Sequence, residues 1–180
     1  EEVRQLFKIR RLLEPFFWQL LGKQVGENRN LESELSRLKR DMQDLLASLG
    51  SQTFESHHYE EYMRMDCQLQ AAISEKLPPE ATVVKRFADL LNNYIFRLRL
   101  FPKGASGSSR TSRMKAVLTE HMAIVDALLT GDPLEVERAV TEHLVQAEVR
   151  AIRAFEETNE RMTGAEKGAL SVGLPVDATD

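Results

Sequence analysis

Scarcity is the first information in this sequence. One residue of 180 is cysteine, Cys67, so no internal disulfide can form and a reducing cytoplasm is the expected compartment. No run approaches the ~18 uninterrupted apolar residues of a membrane-spanning helix, so no membrane partner is expected. Positive charge is not in excess: 24 Lys and Arg stand against 28 Asp and Glu, a net charge of −4, which gives no electrostatic footing for a nucleic-acid surface. Alternating β-branched runs are missing, and only Gly22, Gly26 and Gly50 precede residue 100, which argues against strands and hairpins. The opening Glu1-Glu2-Val3-Arg4 lacks the character of a secretion signal. It reads as helix from the start, so an upstream segment is expected to have been removed.

What is present fits one globular domain with a sizeable core: 42% apolar and 29% charged residues. The periodicity predicts helices throughout. Helix one spans about 2–24, with a buried stripe of Leu6, Ile9, Leu13, Phe16, Phe17 and Leu20. Phe7, Trp18 and Leu21 lie off that stripe, so this helix needs two neighbours, inside the domain or across a dimer. Gly22, Gly26 and Asn28 mark a break. Helix two covers about 30–49, with Leu31, Leu35, Leu38, Met42 and Leu45 inward. Helix three covers about 55–76 and stops at Pro78-Pro79. Helix four covers about 80–101, with Val84, Phe87, Leu91, Tyr94, Ile95 and Leu98 as its apolar face. A Gly/Ser-rich loop at 102–109 precedes helix five, about 110–129. Thr130-Gly131-Asp132-Pro133 combines a glycine stop, an aspartate N-cap and a first-turn proline. Helix six follows to about 161, giving a domain of 1–162 and a flexible tail of 163–180.

Three polar residues fall where helices should be apolar. His121 interrupts Met114, Val117, Ile124 and Leu128 on helix five. His143 interrupts Val136, Val140, Ala147 and Ala151 on helix six. Asp66 shares the inward side of helix three with Tyr59, Tyr62, Leu69 and Ile73, and Gln70 follows one turn later. A buried carboxylate costs on the order of several kcal/mol unless it is paired or coordinated. A lone core histidine is usually only hydrogen-bonded. Three helices aiming metal-compatible groups inward also fit a shared divalent-metal site.

These residues resemble a known family. Arg10-Arg11-Leu12-Leu13-Glu14-Pro15 looks like the Arg-x-x-Leu-Glu opening of the FCD domain, the effector-binding domain of FadR-like GntR transcription regulators. Asp66-Cys67-Gln68-Leu69-Gln70 falls where that family has Asp-x-x-Phe-His. The run from Glu120-His121 through Ile124 to Ala127-Leu128 resembles Glu-His-x-x-Ile-x-x-Ala. Gly131-Asp132, Ala139 and His143-Leu144 complete the order, and the likeness covers roughly 3–155. It implies an all-α, antiparallel bundle of six to seven helices around a central ligand and metal cavity. It implies a bacterial, cytoplasmic regulator, homodimeric, whose DNA contact belongs to a winged helix-turn-helix before residue 1.

Carried over by position, Asp66, His121 and His143 would hold a divalent metal, zinc or nickel. Gln70 stands where a further histidine belongs, and a neutral amide is a weak ligand for either ion. A small carboxylic acid metabolite would dock on the metal or the imidazoles. Arg10 is the first cation expected beside it. Arg97 is a second, and Gln70, Asn93 or Asn92 could donate hydrogen bonds. The alternatives are a metal-independent acyl-CoA or carboxylate sensor, and a helical module that only associates. No enzyme is expected. A di-iron bundle needs two Glu-x-x-His motifs, and Glu55-Ser56-His57-His58 supplies one. His57 and His58, adjacent on a helix, are read as a diverging, solvated pair, and Cys67 as an ordinary cysteine.

Overall fold

A computed structural model describes residues 1–51, 54–99 and 107–171, with side chains for 1–50, 54–94 and 110–156. Among these residues there are six α-helices and no strand: α1 (Glu2–Glu27), α2 (Arg29–Ser51), α3 (Ser56–Lys76), α4 (Thr82–Arg99), α5 (Gly107–Thr130) and α6 (Pro133–Ser171). A 3-10 turn, Pro79–Ala81, leads into α4. No helix is long and apolar enough to cross a membrane among the described residues.

The boundaries follow local chemistry. α1 passes straight through Gly22 and Gly26, so the first break lies later than the glycines indicate. It ends at Asn28, whose side-chain Oδ1 then accepts the main-chain N–H groups of Asn30 and Leu31 at 3.1 and 3.2 Å. One asparagine thus terminates α1 and caps α2. At the α5–α6 corner, Gly131 takes φ +72°, which costs a glycine nothing, and Asp132 Oδ1 accepts the Leu134 N–H at 2.9 Å. Helix six runs ten residues beyond the expected end, to Ser171, and the remainder of the expected tail, 172–180, lies outside the described residues.

The core is continuous. Leu31, Leu35, Leu38, Met42 and Leu45 of α2 are all buried, as the stripe predicts, and Leu49 extends the row. They pack with Leu69 and Ile73 of α3, Leu118, Ile124, Val125 and Leu128 of α5, and Val136, Val140 and Leu144 of α6. α5 touches α1, α2, α3 and α6, while α1 lies chiefly along α6 and also touches the other four helices.

α1 corrects the sequence reading. Its buried side carries Phe7, Arg10, Glu14, Phe17, Trp18, Leu21 and Val25. Of the expected stripe, Ile9 and Phe16 are about half exposed (47% and 51%), and only Phe17 is fully buried. The apolar count favoured the outer side because the inner side spends two positions on an ion pair. α4 shows the same inversion in part: Ala88 and Leu91 are buried, while Phe87 and Tyr94 are exposed. Ile95 and Leu98 lie outside the described side chains.

Candidate functional site

The three polar residues singled out on α3, α5 and α6 are all buried: Asp66 is 1% exposed, His121 2% and His143 7%. They reach one another. His121 Nε2 stands 3.7 Å from Asp66 Oδ1, and the His121 and His143 rings are 4.9 Å apart at their centroids. At 3.7 Å those two atoms are beyond hydrogen-bonding range. The spacing is close to that of two donors on one small cation, since bonds near 2.0–2.2 Å in a tetrahedral array separate donors by roughly 3.4 Å.

A mixed carboxylate and imidazole donor set suits zinc or nickel, and Asp66 with His121 fits a shared ion. His143 does not complete it. Among the described residues no group of three or more His, Cys, Asp or Glu side chains is arranged to hold a metal ion. Gln70 is buried one turn beyond Asp66, and its main-chain carbonyl accepts the Asn92 side-chain amide at 3.4 Å. That bond brings α4 to α3 beside the cluster.

His143 is held from behind by a group that residue types alone did not single out. Its Nδ1 lies 2.9 Å from Glu120 Oε2. The same carboxylate receives both terminal nitrogens of Arg150, each at 2.6 Å, in the two-pronged geometry that guanidinium and carboxylate share. Burial pushes the Glu120 carboxyl up, but the hydrogen bonds from His143 and Arg150, with their charges, outweigh it and hold the group below its ordinary value. His143 and Arg150 are seven positions apart and so share one face of α6. That spacing was the available signal for Arg150.

The other expected contributors are distributed differently. Arg10 is buried, but its guanidinium is committed to Glu14 four residues on, with Nε and Nη2 donating at 2.5 and 3.2 Å. Its Cζ also sits 4.8 Å from the Phe7 ring centre. A solvated arginine is therefore excluded, and a ligand carboxylate would meet a cation already neutralised. Asn93 is exposed, which removes it from the interior, and Asn92 takes the inward place. Arg97 lies outside the described side chains. His57 and His58 are not a solvated pair: His58 is fully buried while His57 is exposed, with ring centres 3.9 Å apart. His58 Nδ1 accepts the Glu55 main-chain N–H at 3.0 Å and so closes the start of α3.

A separate groove runs between α1, α4 and α6. It has a volume of about 1220 Å³, and Leu6, Ile9, Leu13, Phe87, Leu90 and Tyr94 are among the residues that line it. None of Asp66, His121 or His143 does. In comparison with known proteins, the family model described as the FCD domain matches residues 5–146. No curated protein and no solved structure matches the chain.

Proposed function

Since the chain belongs to the FCD domain family, we propose that it is the effector-binding module of a GntR-type regulator whose polar cluster recognises a small organic acid. The observation that carries this reading is the meeting of Asp66, His121 and His143, from three helices, in the interior of the bundle. Burial of such groups is costly without compensation. An acid could be received by the imidazoles of His121 and His143, with a divalent ion on Asp66 and His121 strengthening the contact by binding a ligand oxygen. Ligand binding would favour one packing of α1 over another, and α1 would pass the change to a DNA-binding domain joined at its start. A coupling free energy of about 1–3 kcal/mol is typical for such a device.

The metal-free version has its own support in Gln70 and in the absence of a gathered three-donor group among the described residues. One experiment separates the versions. Protein purified without an affinity tag is assayed for zinc and nickel. It is then screened by thermal shift against di- and tricarboxylates, sugar acids and acyl-CoAs, before and after chelation. A carboxylate that raises the melting temperature only before chelation supports the metal version. A shift that survives chelation supports the metal-free one. No shift with any acid, or a shift that His121→Leu keeps in full, rejects the reading.

The partner in solution is a second copy of the chain. Ile9 and Phe16 on α1 and Phe87, Leu90 and Tyr94 on α4 leave large apolar groups near half exposed, as a self-complementary two-fold interface does. Light scattering at micromolar concentration should return twice the chain mass.

A further inference from the structure

A histidine can offer a lone pair to a ligand through only one ring nitrogen at a time, and the group bonded to the other nitrogen decides which. At His143 that group is Glu120. The ring nitrogen facing it is Nδ1, at 2.9 Å. An ionised carboxylate only accepts hydrogen bonds, so it requires a proton on Nδ1. In the neutral ring this leaves Nε2 with the lone pair. Arg150 completes the arrangement by occupying both oxygens of Glu120 at 2.6 Å each, which favours the ionised carboxylate.

We propose that Glu120, held by Arg150, is a positioning residue that fixes His143 in its Nδ1–H form and presents Nε2 as the accepting or ligating atom of the buried cluster. The assignment rests on the reading of the cluster as a recognition centre only for its purpose. The tautomer itself is a property of the free protein.

The test is nitrogen-15 NMR of the histidine rings in metal-free protein at pH 8, with His143→Gln to identify the resonances. The wild-type ring should carry its proton on Nδ1. In Glu120→Gln, the side-chain amide can present either its oxygen or its N–H to Nδ1, so the ring should shift to a mixture with substantial Nε2–H. A change confined to packing would not move this signal. A wild-type ring protonated on Nε2, or on both nitrogens, overturns the proposal, as does an unchanged Nδ1–H ring in Glu120→Gln. The wild-type spectrum decides even if the variant does not fold.

A zinc titration by calorimetry supplies the second arm. If zinc binds the wild type and His143→Gln weakens it, so that His143 is a ligand, Glu120→Gln should weaken it by about 10–100-fold, and equal affinity in that case overturns the positioning role. If zinc does not bind the wild type while the tautomer is as stated, the metal version of the function fails and the Glu120 assignment stands.

Discussion

Along α2 every buried side chain is apolar: Leu31, Leu35, Leu38, Met42, Leu45 and Leu49. Along α5 the corresponding row runs Met114, Val117, His121, Ile124 and Leu128, with an imidazole at its centre that is 2% exposed. The first row is what burial alone would select, each leucine contributing about 1.5–3 kcal/mol. The second gives up part of that gain. With Asp66, Gln70 and His143 buried as well, and Arg10 with Glu14 buried on α1, one helix is built for stability while others tolerate a cost to hold polar groups.

The contrast can be broken most sharply at α1. Glu14→Ala strands the Arg10 guanidinium without its carboxylate in the interior and should cost about 3–5 kcal/mol in urea unfolding. Replacing both, as Arg10→Met with Glu14→Leu, should be near neutral or stabilising, because no charge is then left unpaired. An equal loss in the double variant would mean that the pair stabilises the fold in its own right. The next effect belongs to α2. Leu38→Ala should cost about 3 kcal/mol through lost burial and the cavity left behind, with no change in response to acids or metals. If that variant loses ligand response while still folded, the two roles are not separable.

The smallest effect is in pH dependence. Because the folded carboxyl of Glu120 lies below its ordinary value of 4.5, its contribution is complete above that value and is lost as pH falls through the lower folded value. Unfolding of Glu120→Gln should therefore be less acid-sensitive than wild type. Leu38→Ala should keep the wild-type slope.

The legibility of these regions differs for the same physical reason. The α2 stripe, the α5–α6 corner and the burial of Asp66, His121 and His143 could be read directly, because a single period or a cap motif specifies each. α1 could not. Apolar residues occur around most of its girth, and the buried side is marked by Arg10 and Glu14, which hydropathy assigns to solvent. Their i, i+4 spacing was the clue that the two charges neutralise each other. The Glu120–Arg150 clamp needed the antiparallel alignment of α5 and α6, which brings residues 30 positions apart into contact. His58 was misread because both members of a diverging pair were given to solvent, whereas the first turn of α3 buries one and exposes its neighbour.

Gly22 carries a mechanical consequence. A methyl group placed there would sit 3.5 Å from Val136 and 3.6 Å from Leu128, residues on either side of the Gly131 corner. Both are ordinary van der Waals distances, so helix α1 lies directly against that corner with space for one methyl group at Gly22. The stretch from Gly22 back to Glu2 is about 30 Å of helix at 1.5 Å per residue. A tilt of about 5° about that contact would swing the far end by roughly 2.6 Å over that length, so a repacking at the α5–α6 corner would be felt most at the start of the helix.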